Sequence, residues 1–160
     1  MALPTTEIVA WWGAILSTIV FAWDIVKWRL SGPRLRFTVS GNMKTINILE
    51  YEGKTLISAE VINYGDQPTT ITNMGFVYYG SRWNLFRNRP TTAFIIANPS
   101  LSQRIPFELK QGNPPWIGFA EQTDDVGKMA REGYLICHVY HTHSRRPLRR
   151  RVVINHHLSR

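Results

Sequence analysis

The sequence predicts a mainly β protein: an antiparallel β-sandwich with one short helix, carried behind a single N-terminal transmembrane α-helix. Three observations predict it. Between Ile8 and Trp23 there is no charged side chain, and the apolar run continues past Asp24 to Val26. After Pro33 the apolar period changes from that of a helix to two, with Gly, Pro, Asn and Asp clusters at short intervals. One later stretch, Thr123 to Gly133, carries the start and stop signals of a soluble helix. Short strands at this spacing close as a sandwich, with a small barrel as the alternative.

The run from Ile8 to Val26, about 19 residues, spans roughly 28 Å as a helix, against a hydrocarbon core of ~30 Å. In lipid only a helix satisfies every backbone group within one segment. Trp11 and Trp12 lie near one end of the stretch Ile8–Trp28, Trp23 and Trp28 near the other, where interfacial aromatics sit. Thr5 or Thr6 caps its start, and Glu7 complements the dipole. A cleaved signal peptide needs a basic start and a small-residue cleavage site, and neither is present. Lys27, Arg29, Arg34 and Arg36 follow the span and no Lys or Arg precedes it, which puts the start outside and the remainder in the cytoplasm. A single cysteine, Cys137, rules out a disulfide framework and agrees with that compartment. Asp24 lies at the cytoplasmic edge, within reach of Lys27. Ala10, Gly13, Ala14, Ser17 and Thr18 make one small-residue face, which predicts homo-oligomerisation in the membrane. Residues 1–30 are thus the anchor and 31–160 one cytoplasmic domain.

Ser31-Gly32-Pro33 ends the helix. Leu35, Phe37 and Val39 alternate with polar residues as a first strand, and Ser40-Gly41-Asn42 marks a turn. Ile46–Tyr51 reads as a strand, Glu52-Gly53-Lys54 as a hairpin turn, and Thr55–Asn63 as a strand with Ile57, Ala59 and Val61 inward. Thr70–Tyr79 is a strand rich in β-formers. Ser81–Pro90 is an arginine-bearing aromatic connection. Short strands follow at Ala93–Ala97, around Phe107, and at Trp116–Ala120. Thr123 caps a helix at Asp124–Glu132, with two aspartates in its first turn and Gly133 at its end. Tyr134–Thr142 is a strand, Ser144–Pro147 a turn, and Leu148–Ile154 the last strand.

Three runs carry a resemblance: VINYGDQPTTITNMGF (Val61 to Phe76), FELKQGNPPWIG (Phe107 to Gly118) and GYLICHVYHTHSRRP (Gly133 to Pro147). They resemble a loose group of small, mostly uncharacterised bacterial membrane proteins with one N-terminal span and an immunoglobulin-like β domain. That likeness implies an immunoglobulin-like sandwich and an inner (cytoplasmic) membrane location, and no catalytic residue. The architecture is also similar to that of membrane effectors of nucleotide-signalled antiphage defence, which by analogy implies a nucleotide ligand and an antiviral role.

The chemistry-bearing residues point away from an enzyme. All five histidines follow Cys137. His141 and His143 share a strand face, but a third ligand is missing and the neighbouring arginines repel a dication, so no metal is expected. Cys137 and His138 point to opposite faces and cannot act as a pair. No nucleophile elbow, phosphate loop or dinucleotide fingerprint is present, and no cofactor is expected. The formal net charge is +8, which calls for an anionic partner. Arg145, Arg146, Arg149, Arg150 and Arg151 crowd the last hairpin; Arg149 and Arg151 share one face, and Arg150 on the other needs a partner or a place at the rim. Arg82, Arg87 and Arg89 interleave with Trp83 and Phe86. If the groups converge, Arg145, Arg146, Arg149, Arg151, Arg87 and Arg89 grip phosphate while Trp83 or Phe86 stacks on a base. The expected function is a non-enzymatic effector or sensor whose domain binds a cyclic or oligonucleotide ligand and controls assembly of the membrane helices. The alternative is a scaffold for a protein partner, with its arginines docked on anionic lipid.

Overall fold

The structure is a computed structural model that describes residues 5–46 and 48–154, with the side chains of Thr6, Arg29 and Leu30 outside the description. It comprises two compact units, residues 1–32 and 33–160. Asn47, His156 and His157 also lie outside the described residues.

The first unit is helix α1, Thr5–Leu30. Its stretch Glu7–Trp28, 22 residues, is long and apolar enough to cross a membrane by length and composition. Thr5 already lies inside the helix and so does not cap it, and Thr6's expected capping contact falls outside the described side chains. The polar side chains midway along α1 are satisfied within it: Ser17 Oγ donates to Gly13 O at 2.8 Å and Thr18 Oγ1 to Ala14 O at 2.8 Å. The expected Asp24–Lys27 ion pair does not form; the pairs among the described residues are Lys54–Glu121 and Lys110–Glu108.

The second unit is an antiparallel sandwich. In chain order it runs β1 (Leu35–Lys44), a 3-10 turn (Leu49–Tyr51), β2 (Thr55–Asn63), β3 (Thr69–Tyr79), α2 (Arg82–Phe86), β4 (Thr92–Ile96), β5 (Phe107–Leu109), β6 (Trp116–Glu121), α3 (Asp124–Glu132), β7 (Tyr134–His141) and β8 (Ser144–Arg151). One sheet has the order β1-β2-β6; the other has β4-β3-β7-β8, with β5 also on β3. Alternation turns one face of each sheet inward. Phe37, Ile57, Ala59, Val61 and Trp116 from the first meet Ile71, Met74, Phe76, Leu135, Cys137 and Val139 from the second in one buried cluster.

Four elements depart from the sequence pattern. The chain does not turn at Ser40-Gly41-Asn42. It bulges there and keeps pairing with β2 through Met43↔Leu56 and Lys44↔Thr55. Asn42 takes the left-handed conformation that asparagine tolerates, φ 56°, and Gln122 holds it by two hydrogen bonds of 3.0 and 2.8 Å. Of the strand expected at Ile46–Tyr51, Leu49–Tyr51 instead form a 3-10 turn, because β1 already occupies the edge of β2; Ile46 and Leu49 are exposed, and Asn47 lies outside the described residues. The segment after Ser81 forms α2, capped by Ser81 Oγ accepting from Asn84 N at 3.2 Å. The last hairpin turns at Thr142-His143, with His141 opposite Ser144, and β8 runs through Pro147. Proline is tolerated there because β8 is an edge strand and its pairing is irregular at that point.

Candidate anion-binding groove

The groove lies on the outer face of the β7–β8 pair. Leu135, Cys137 and Val139 point into the core and are fully buried, so Ile136 and His138 face outward. The register sets Arg151 opposite Ile136 and Arg149 opposite His138. Tyr79, at the end of β3, completes this face, and α2 with Asn88 covers it.

Arg149 is held by three neutral acceptors. Its Nε donates to His138 Nε2 at 3.1 Å, and Nη2 donates to Tyr79 Oη at 3.0 Å and Asn88 Oδ1 at 3.3 Å. Tyr79 Oη itself donates to Asn88 Oδ1 at 2.9 Å. Asn88 stands in the left-handed region, φ 51°, which ends α2 and aims the amide back at the sheet. Arg151 lies 4.4 Å from the Tyr134 ring centroid and donates to Gly133 O at 3.2 Å. No carboxylate pairs with either arginine among the described residues. Leu85, Phe86 and Ile136 supply an apolar shelf beside them, and the groove has a volume of about 320 Å³. Arg150, on the opposite face, donates from Nε to Phe37 O at 3.1 Å, which gives it the rim position its pattern demanded. It lines the groove as well, and a neighbouring hollow of about 250 Å³ with Arg36 and Arg151.

His138 carries an electrostatic consequence of this arrangement. Because Nε2 accepts from Arg149, the neutral ring carries its proton on Nδ1, which is buried without a partner among the described atoms. Burial, and then the charge of Arg149, pull its pKa down to about 4.

Of the residues singled out from sequence, the structure gathers Arg149, Arg151 and Phe86. It does not bring in Arg145 and Arg146, which are exposed at the far end of β8, roughly 10–13 Å along the strand from Arg149 at ~3.3 Å per residue. Arg89 is exposed and outside the groove. Arg87 stacks on Trp83, 4.7 Å from the ring centroid, and Trp83 also lies outside. Tyr79, Asn88 and His138 went unrecognised in the sequence. The alternation around Cys137 was the only pointer to His138, and nothing local pointed to the other two.

The two histidines expected on one strand face are separated: His141 ends β7 and His143 is in the turn. The shift of the hairpin by two residues is the reason. Burial and the nearby His143 lower the His141 pKa. Among the described residues no group of three or more His, Cys, Asp or Glu is placed to hold a metal ion. Cys137 is fully buried, and burial raises its thiol pKa, which leaves it inert as a nucleophile. No protein-family model and no curated protein sequence matches the chain.

Proposed function

We propose that this protein is a membrane-anchored, non-enzymatic effector or sensor whose β domain recognises a phosphate-bearing, nucleotide-like ligand. One observation carries the reading: two guanidiniums, Arg149 and Arg151, line one groove and are fixed by neutral partners, with no carboxylate paired to either among the described residues. Arginine's fork matches phosphate, and fixing it beforehand lowers the entropy lost on binding. The adjoining ring of Phe86, 83% exposed, offers a face for a planar group. In this reading α1 spans the membrane with its start outside, the domain is cytoplasmic, and ligand binding controls association of the small-residue faces of α1. The likeness to effectors of antiphage defence fits this arrangement.

Thermal midpoints of residues 33–160 against a panel of mono-, cyclic and linear oligonucleotides at low salt test it. A ligand at about 100 times its Kd adds roughly 2.7 kcal/mol. Arg149→Gln is expected to weaken that ligand at least about tenfold, ~1.4 kcal/mol, while Arg145→Gln and Arg146→Gln change it less than about twofold. A flat midpoint across the panel removes the reading.

The membrane part has its own test. A Cβ on Gly13 would meet nothing within 4 Å, so Gly13→Leu leaves the single helix undisturbed. Crosslinked oligomers of the full chain in bilayers should fall about fivefold, ~1 kcal/mol. An unchanged ladder would show that this face is not the interface.

The scaffold alternative has one observation in its favour: the edge strand β4, Thr92–Ile96, carries no charged residue and leaves Ile95 68% exposed. Crosslinking from membranes separates the two, since a stoichiometric heterologous partner supports the scaffold.

A further inference from the structure

The groove leaves Trp83 unexplained. It is 60% exposed and shares the outer face of α2 with Phe86; their rings stack at 6.1 Å between centroids. The domain's other tryptophan, Trp116, is buried, as are Phe76 and Tyr79, whereas Tyr64 and Tyr140 are exposed singly. Exposing two adjacent aromatics is costly unless something covers them. The segment is not a loose loop. Ser81 caps α2, and Asn88 is hydrogen-bonded to Tyr79 and Arg149, so the pair is presented on a fixed support.

Its surroundings are uniformly cationic. Arg82, Arg87 and Arg89 flank the two rings, all three are exposed, and residues 80–91 contain no Asp or Glu. We propose that this tip is a lipid-docking surface: Trp83 and Phe86 enter the interface of an anionic bilayer, and the three arginines meet headgroup phosphates. Tryptophan favours that interface because one end of its ring system is apolar and the other donates a hydrogen bond. Surface-near arginines are drawn to the negative leaflet. The partner is argued from this chain itself. Residues 31–34 alone separate β1 from a helix long and apolar enough to cross a membrane, and so short a link confines the domain near any bilayer that helix enters. A nucleic acid is a poorer fit at Trp83, because Arg87 already lies over that ring and Phe86 stacks beside it. Phe86 also lines the groove, so the two readings share that ring, while Trp83, Arg82, Arg87 and Arg89 serve this one alone.

The test uses the full chain in nanodiscs, one copy per disc, of phosphatidylcholine alone or with about 30% phosphatidylserine, enough to create a negative surface potential. Hydrogen exchange is followed at the amides of Leu85, Arg87, Asn88 and Arg89, each of which donates within residues 81–89. Exchange is expected to slow at least fivefold in the anionic discs. Trp83→Ser, and separately Arg87→Gln with Arg89→Gln, should abolish that protection. The β7 amides report folding, and the arginine variant, which alters only exposed side chains, serves if Trp83→Ser perturbs them. Equal exchange in both discs, protection that survives both variants, protection that requires two copies per disc, or protection that requires added oligonucleotide would each overturn the proposal.

Discussion

Trp116→Ala is expected to destabilise residues 33–160 by about 3–5 kcal/mol, close to the largest cost of a single core truncation. Trp116 opens β6, is fully buried, and donates from its indole nitrogen to Gln103 O at 3.1 Å. Gln103 in turn accepts from Ile117 N at 2.9 Å and donates to Pro115 O at 3.0 Å, so the indole is locked to the connection between β4 and β5. Its ring lies over Gly118. A Cβ there would come within 2.6 Å of the ring and 2.8 Å of Met74 Sδ on the opposite sheet. The side chain therefore fills the space between the two sheets, and its removal leaves a cavity that neither backbone can close. Against a total stability of about 5–15 kcal/mol this is a large fraction. The thermal midpoint should fall by about 10–20 °C. Gly118→Ala should cost less, about 1–3 kcal/mol, through overpacking against the same ring. Urea unfolding of the three proteins measures both, and a Trp116→Ala loss below about 1 kcal/mol would show that the sheets hold together elsewhere.

The elements legible from sequence were those whose signals are local. Asp124–Glu132 is found where its cap, acidic first turn and terminal glycine put it: Thr123 Oγ1 accepts from Val126 N at 3.4 Å and Gly133 N donates to Met129 O at 3.1 Å. β7 followed from alternation between core and outer face. The same local reasoning failed at Pro147, where a turn signal proved to be an edge-strand irregularity, and at Ser40-Gly41-Asn42, where it proved to be a bulge. The first of these bears on the candidate site. A turn at Ser144–Pro147 sets Arg149 opposite Thr142, whereas the observed turn sets it opposite His138. Tyr79, 70 positions from Arg149, enters only through the pairing of β3 with β7. Residue chemistry picked out Arg149, Arg151 and Phe86, which line the groove, and equally Arg145 and Arg146, which do not. What separated them from Arg145 and Arg146 was the strand register, which no composition reveals.

If the groove takes a phosphate as proposed, stability and binding should depend on pH in opposite directions through His138. The folded pKa of His138 lies at about 4, below its ordinary 6.5. Between those values the unfolded chain binds the extra proton and the folded chain does not, so this residue's contribution is fully present above pH 6.5 and is lost as the pH falls toward 4. From pH 7 to about pH 4.5 the wild type should lose about 2 kcal/mol more than His138→Gln, which keeps an acceptor for Arg149 but does not titrate. Taking the difference between the two proteins removes the acid sensitivity of the carboxylates, which both share. A phosphate seated against Arg149 would offset that residue's charge, which after burial is the second cause of the lowered His138 pKa, and so raise that pKa; the same ligand should then bind more tightly as the pH drops through 5, the reverse of the stability trend. Urea unfolding and calorimetric titration across that range read the two slopes separately. Parallel stability profiles for wild type and His138→Gln would mean that the imidazole is not a buried acceptor, whereas a stability difference without a binding slope would place the anion away from Arg149.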